Sequence, residues 1–513
     1  MQQVERLRPD LSPAPAPAPS PPLRDVAVVD VGSNSVRLVQ YRLEGRAIWT
    51  VFNEKVLAGL GRGVGAAGRL DPEGAALALA AITRFAAMLD GGPATTVFTA
   101  ATAAIREASD GPAFVAEVRA RTGLRLRILS GEEEARYAAL GVLAGMPGAE
   151  GLVGDLGGSS LELTRLGGAQ AHEGVSLALG PFALGAGAGP LDVDAVRRRI
   201  ERRLARVQVD HRGETLHAVG GAWRNLALLH MRLSGYPLAI VHGYGLSARE
   251  AVEAARYVVR QPKALERMDG VSKKRSETLP YAALVLDALV ERSEVQRVEF
   301  SAYGVREGLL YEAMSPGLRA QDPLLAGCDA LARRHGVVQD LGPRLADWLR
   351  PLFSPATAAF PGDREQVLLA AAAALADVGA RLHPDHRADL VADNVLRAPL
   401  AGLNHPERAF LAQAAFARYS AAETPPSAVL AERLLSGEQR RRARAVGAAL
   451  RLAVELSGRN PALLARASIG LERRGVVLSV EPGWSGRLLT EQTRKRLATL
   501  AAVLGRDAVT REV

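Results

Sequence analysis

Two stretches of this 513-residue chain are written in one grammar. The first reads Val28-Val29-Asp30-Val31-Gly32-Ser33-Asn34-Ser35-Val36-Arg37-Leu38, the second Val153-Gly154-Asp155-Leu156-Gly157-Gly158-Ser159-Ser160-Leu161-Glu162-Leu163. Each is an apolar run that delivers an aspartate to a Gly/Ser turn, followed by apolar residues alternating at period two. The physical reading is a strand, a tight turn whose small residues let backbone N–H groups approach an anion, and a second strand. Two such turns imply two phosphate-gripping loops facing one cleft. A dinucleotide fold would place a helix straight after the glycines, but Val36 and Leu38, like Leu161 and Leu163, alternate as a strand does. A P-loop would end in Gly-Lys-Ser/Thr, and that ending is absent. Two unrelated hairpins remain the plain alternative, disfavoured because the aspartate and small-residue positions coincide in both copies.

The length exceeds what one core supports, so about two to four domains are expected. Hydrophobic residues make up 48% of the chain, ample for folding, and the formal charge of +9 favours a polyanionic partner. Cys328 is the only cysteine, which excludes an intrachain disulfide and any Cys-rich zinc site. The first residues lack the apolar stretch of a secretory signal, and the longest apolar run, Val367 to Ala376, is too short to span a bilayer. The expected compartment is the cytoplasm.

Residues 1–23 include LSPAPAPAPSPPL, an extended tail in which alternating prolines forbid helix and sheet. Folded structure is expected from about Arg24, as mixed α/β: hairpins, a helix over Pro72 to Leu89, a strand over Thr95 to Ala100, a helix over Pro112 to Thr122, a strand over Arg125 to Leu129 and a helix opening at Gly131. The hairpin pattern restarts at Leu152, followed by an Arg-rich helix (Val193 to Val209) and a third Gly turn after Leu216. Beyond about Gln321 the chain reads as Ala/Leu-rich helices, including Arg364 to Arg381 and Pro406 to Tyr419, with one strand near Gly475 to Val480. The domains are placed at 24–147, 148–318 and 319–513.

Cleaving a phosphoanhydride with water needs a base for the nucleophile, cations for the developing charge and fixed donors around the phosphoryl oxygens. Ser130-Gly131-Glu132-Glu133-Glu134-Ala135-Arg136 supplies three acids at a helix start, where they also simply complement the helix dipole. Together with VVDVGSNSVRLV, TAATAAIREA, GDLGGSSLEL, SLALGPFAL, AVGGAWRNLA and SAYGVREGLLY, this segment makes the chain resemble the exopolyphosphatase and guanosine pentaphosphate phosphatase family over roughly Arg24 to Ser315. The resemblance implies an α/β fold of two ribonuclease-H-like (actin-like) lobes plus a C-terminal, mainly α-helical, degenerate HD-like domain. It implies Glu134 as the base, Asp155 and Glu162 as ligands of a divalent cation, usually Mg2+, and a phosphate cradle of Gly32, Ser33, Asn34, Ser35, Gly157, Gly158, Ser159 and Ser160 with Arg106. Whether a monovalent cation such as K+ is also required is not readable.

Two departures from the family stand out. Ser159 replaces the third glycine of the second turn, and Gly220-Gly221-Ala222-Trp223-Arg224-Asn225 replaces the usual Ser-Gly-Thr of the third, a subtype difference. In the C-terminal domain the His-Asp pair of an HD site reads Ala376-Asp377, and Pro384 separates His383 from His386, so a second metal site is not expected. Arg440, Arg441, Arg442, Arg444 and Arg451 lie in one helix-like stretch, either a polyphosphate-attracting surface or a solvated face. The leading function is processive release of orthophosphate from inorganic polyphosphate by a homodimer, without membrane attachment. The rivals are the same hydrolysis on guanosine pentaphosphate, an ATP-dependent kinase, and a non-catalytic polyanion or RNA binder. Nucleic acid is disfavoured because no aromatic stacking motif occurs.

Overall fold

The computed structural model describes residues 23–207, 214–261, 277–338, 340–422, 432–473 and 475–513. The proline-rich tail lies outside the described residues up to Leu23, which opens the first strand. The described residues form two compact units, one of residues 23–323 with 401–404, the other of 324–400 and 405–513.

The first unit holds two sheets. In the first, β1 (Leu23–Val31), β2 (Val36–Glu44), β3 (Ala47–Val56) and β4 (Thr96–Ala101) are ordered β3-β2-β1-β4, with β1 antiparallel to β2 and parallel to β4. In the second, β5 (Gly151–Leu156), β6 (Leu161–Gly167), β7 (Gln170–Leu177), β8 (Thr215–Val219), β9 (Tyr244–Ser247) and β10 (Arg297–Phe300) are ordered β7-β6-β5-β8-β10-β9. Strand β5 is antiparallel to β6 and parallel to β8, so the arrangement of the first sheet recurs. This is the mixed α/β, actin-like architecture that the family resemblance implies.

Alternation along β1 explains how the first sheet is covered on both sides. Ala27, Val29 and Val31 face one core with Ala78, Ile82 and Phe85 of helix α1 (Pro72–Asp90). Val26 and Val28 face the other, with Tyr137 of α2 (Gly131–Gly145) and Leu309 and Leu310 of α5 (Val305–Glu312). Each large apolar side chain so buried contributes about 1.5–3 kcal/mol. Helix α1 is long and apolar enough to cross a membrane by length and composition, but its buried face belongs to this core. Helices α3 (Gly221–Leu233) and α4 (Leu279–Ser293) help build the core of the second sheet. Helix α5 follows the second sheet in sequence yet packs on the first. A Cβ at Gly141 would strike the Gly304 carbonyl, and one at Gly308 the Tyr137 carbonyl, so α2 and α5 meet at backbone distance.

Helix α6 (Arg364–Ala374), α7 (His405–Tyr419), α8 (Gly437–Ser457) and α9 (Glu491–Leu504) dominate the second unit. It carries three strands, β11 (Ala467–Leu471), β12 (Gly475–Val480) and β13 (Asp507–Glu512), where the sequence suggested one. Helix α6 stops short of the expected Arg381. Val378 and Ala380 close i→i−3 turns instead, and Tyr419 donates to the Ala376 carbonyl at 3.1 Å. At the degenerate His-Asp position, Asp377 is buried and ion-paired with Arg459 at 2.7 Å and Arg418 at 3.5 Å, so guanidinium groups surround the carboxylate.

Two further expectations need correction. Arg125 to Leu129 is not a strand but a single bridge from Ile128 to Ala101. The Thr99 hydroxyl takes the Arg125 carbonyl and the Arg127 N–H, groups a backbone rung would otherwise pair. The Arg-rich helix spans Val193–Leu204, and residues 208–209 of its expected extent lie outside the described residues.

Candidate active site

A cleft of about 180 Å³ opens between the duplicated turns. Both turns close alike: Gly32 N–H donates to the Ser35 carbonyl at 3.0 Å and Gly157 N–H to the Ser160 carbonyl at 2.9 Å. A Cβ on Gly158 would stand 3.0 Å from Ser33 Cβ and 3.1 Å from Asn34 N, so the turns touch. Gly32, Ser33, Asn34, Ser35, Gly157, Gly158 and Ser160 all line the cleft. Ser159 is not among the lining residues. It is buried beside Gly61, and its hydroxyl has no hydrogen-bond partner.

The three glutamates at the start of α2 have separate fates. Glu132 is exposed. Glu133 closes a capping box, accepting from Ser130 N–H at 2.8 Å while Ser130 Oγ accepts from Glu133 N–H at 3.1 Å. Glu134 alone is buried and lines the cleft, one helical residue further on. Burial pushes its carboxyl up to about 7, opposed by the charge and hydrogen bond of Arg106 and reinforced by Asp155 and Asp30.

Arg106, expected to grip phosphate, is not among the lining residues. Its Nη1 donates to Glu134 Oε2 at 3.1 Å and to the Leu129 carbonyl at 2.8 Å. The structure thus puts a fixed cation against the carboxylate.

The strand register pairs Asp30 with Arg37 across the first hairpin and Asp155 with Glu162 across the second. Asp155 lines the cleft, and burial raises its carboxyl to about 6 against the pull of Arg224 and Arg306. Glu162 is buried and not among the lining residues. Burial, then Glu134 and Asp155, hold it well above the usual carboxylate range. Ser176 donates to its Oε1 at 2.8 Å, whereas Oε2 is buried without a partner.

Residues that sequence reasoning did not assign complete the lining. Arg306 at the start of α5 donates to Asp30 at 2.7 Å, and Arg37, Lys55 and Arg224 also face the cleft. Burial first, then Arg306 and Arg224, lower the Arg37 guanidinium to about 10. The third turn brings in Gly220 and Gly221 at the N-terminus of α3, an end suited to anions. A side chain at Gly220 would run into the Leu156 carbonyl, and its φ of 104° favours glycine. Arg37, Arg224 and Arg306 lie in segments already noted, VVDVGSNSVRLV, AVGGAWRNLA and SAYGVREGLLY, but nothing local says that they converge.

Magnesium prefers hard oxygen donors and is commonly held by one or two carboxylates together with substrate phosphates. Crowded Asp155 and Glu162, with the orphaned Glu162 Oε2, fit that requirement. Among the described residues no group of three or more His, Cys, Asp or Glu forms a ready metal cage. The donor set therefore suits a cation whose coordination is completed by water and phosphate.

Comparison with known proteins places this architecture. Residues 39–316 match the model of the Ppx/GppA phosphatase family, and residues 342–510 match that of the exopolyphosphatase C-terminal region. Retrograde regulation protein 2 of Saccharomyces cerevisiae is 30% identical over 275 residues, 48% of this chain and 46% of that protein. The chain thus spans about half the length of this curated relative. An exopolyphosphatase-like protein of known structure has a TM-score of 0.52 at 23% identity, covering 57% of this chain and 98% of that one. An exopolyphosphatase from Cytophaga hutchinsonii gives 0.52 at 20% identity, again over 57% of this chain and 98% of its own. Those two likenesses show the fold. With its first unit matched over more than half of the chain, the protein belongs to the Ppx/GppA phosphatase family.

Proposed function

We propose that this protein is an exopolyphosphatase, cleaving the terminal phosphoanhydride of inorganic polyphosphate to release orthophosphate. The observation that carries the reading is one cleft in which a buried glutamate with an elevated pKa faces two anion-suited turns and four cationic side chains.

In the proposed reaction the terminal phosphoryl group sits between the turns, its oxygens held by backbone N–H groups and the hydroxyls of Ser33, Ser35 and Ser160. Arg37, Arg224, Arg306 and Lys55 neutralise charge along the chain. Glu134, steadied by Arg106, orients a water and takes its proton as the oxygen attacks phosphorus. The water oxygen bonds to phosphorus as the bridging P–O bond breaks; the bridging oxygen departs with the shortened chain, Glu134 holds the proton until it passes to solvent, and orthophosphate is released. Asp155 and Glu162 would hold Mg2+, which when bound neutralises charge on the transferred group.

The test is incubation with long-chain polyphosphate and magnesium, following both orthophosphate and residual chain length. Glu134→Gln is expected to lower release by roughly 10²–10⁴-fold while polyphosphate binding persists. Wild-type turnover by that variant removes the assignment of the base. Competition between polyphosphate and guanosine pentaphosphate decides between the two phosphoanhydride substrates.

A further inference from the structure

The duplication of the two turns extends to what lies behind them. In the first, the Ser33 carbonyl accepts from Gly61 N–H at 2.8 Å and the Asn34 carbonyl from Gly59 N–H at 3.1 Å. In the second, the Gly158 carbonyl accepts from Phe182 N–H at 2.9 Å and the Ser159 carbonyl from Gly180 N–H at 3.0 Å. Ser33 and Gly158 hold the second place of their turns, Asn34 and Ser159 the third. The same two carbonyls are therefore taken each time, by two donors spaced two residues apart. Residues 180–182 come from the SLALGPFAL segment, and residues 59–61 are their counterpart behind the first turn.

Peptide planarity fixes what this does to the donors. In a trans peptide the C=O of one residue and the N–H of the next point in opposite directions. Tying back the second and third carbonyls throws the third and fourth N–H groups to the other side: those of Asn34 and Ser35 in the first turn, and of Ser159 and Ser160 in the second. Asn34, Ser35 and Ser160 line the cleft. Among the described residues, none of the four N–H groups donates to another protein group. Successive N–H groups left open in this way make an anion-binding concavity.

The backing segments are themselves held firmly. Leu60, between the two donors of the first, is fully buried in the core beneath α1, and its carbonyl accepts from Asp71 N–H at 3.1 Å. In the second, Pro181 has no N–H to satisfy, Phe182 packs into the core of the second sheet, and the Gly180 carbonyl accepts from Leu184 N–H at 3.1 Å. Two of the donors must be glycine for reasons of space. A Cβ on Gly61 would stand 2.7 Å from Ser159 Oγ and 2.8 Å from Ser33 Cβ, and one on Gly180 would strike the Ser159 backbone. Gly61 thus touches both turns at once.

We infer that residues 59–61 and 180–182 are paired brackets, in which Gly59, Gly61, Gly180 and Phe182 act as positioning residues that aim the N–H groups of Asn34, Ser35, Ser159 and Ser160 at one phosphoryl group. Donors fixed before the substrate arrives need no reorganisation as charge develops on the phosphoryl oxygens. The identity of the anion rests on the proposed hydrolysis; the aim of the donors is set by the hydrogen bonds of the brackets.

Backbone esters test this with every side chain in place. Glycolate at position 59 or position 180 exchanges one bracket N–H for an oxygen. The same exchange at Gly185, whose N–H donates to the Phe182 carbonyl at 3.1 Å in the same loop, is the control. Equilibrium dialysis of labelled orthophosphate against the full chain with magnesium gives the dissociation constant and the number of sites separately, and orthophosphate release from polyphosphate is followed in parallel. Each bracket ester is expected to weaken orthophosphate binding about 10- to 100-fold with the number of sites unchanged, and to lower kcat at least as much, whereas the ester at Gly185 stays within about twofold of wild type. Gly61→Ala, which also crowds Ser33 and Ser159, should weaken binding in the same direction. Should that variant fail to fold, the esters, which bring in no added bulk, still decide. Brackets that serve stability alone would lower the unfolding temperature and the number of sites while the dissociation constant stays put. That result, or unchanged binding in both esters beside normal release by wild type, overturns the inference and leaves the hydrolysis standing. A wild-type chain that neither binds orthophosphate nor releases it from polyphosphate overturns the proposed hydrolysis, and the brackets with it.

Discussion

Replacing Arg106 by methionine tests how the putting of a cation behind the base sets its working range. Glu134 is raised to about 7, and the first influence opposing burial is the Arg106 charge, followed by its hydrogen bond at 3.1 Å. A hydrogen bond between charged groups contributes about 1.5–3 kcal/mol, and one pKa unit corresponds to about 1.36 kcal/mol, so Arg106→Met should raise the carboxyl by roughly 1–2 units. The sign follows from the role. The base acts ionised, so activity is present above its pKa and is lost as pH falls through it. The acidic limb of kcat/KM should therefore move from about 7 to roughly 8–9. At pH 7 the ionised fraction drops from about one half to roughly 1–10%, a loss of about 5- to 50-fold that recovers at high pH. The assay is orthophosphate release from polyphosphate across pH 6 to 10 at saturating magnesium. A raised KM with an unmoved pH profile would refute this reasoning and return Arg106 to the phosphate-gripping role that its sequence context suggests.

Other perturbations follow from the same geometry. Glu162→Gln removes a buried carboxylate with an unpartnered oxygen, and is expected to weaken the apparent magnesium dependence by about 10- to 100-fold in a rate titration. Gly158→Ala places a Cβ at 3.0 Å from Ser33 Cβ and 3.1 Å from Asn34 N, so the turns must part. Activity should fall more than thermal stability does, and an active variant with unchanged KM would show that the turns need not touch. Tyr41→Phe leaves Glu307 Oε1 without its 2.6 Å donor inside the core, and should cost about 1–3 kcal/mol in denaturant unfolding. An unchanged midpoint would mean that water replaces the hydroxyl.

The local grammar of the chain carried a great deal. Asp30 and Asp155 each precede a glycine turn because a strand can deliver a side chain to its end and small residues let the backbone fold back at once. Ser130 and Glu133 mark the start of α2 because a serine followed three residues later by glutamate satisfies two free N–H groups. These signals act within a few residues, so they are legible without a fold. The strand expected at Arg125 to Leu129 shows the limit, since the Thr99 hydroxyl from another strand takes the groups that a ladder would have paired.

What tertiary structure alone decided is which charges meet. Glu132, Glu133 and Glu134 are equivalent in composition, but only Glu134 points inward to Arg106, a residue of a different helix. Arg37, Arg224 and Arg306 reach one cleft from a hairpin, the third turn and the helix that returns to the first sheet. In the second unit, the neighbouring Arg442 and Arg440 divide between the Glu365 carboxylate and backbone carbonyls. Such convergence depends on strand pairing and helix packing between segments far apart in the chain, and no periodicity of the sequence records it. Local residue patterns determined the turns and caps, whereas long-range packing determined the electrostatic environment in which each ionisable group works.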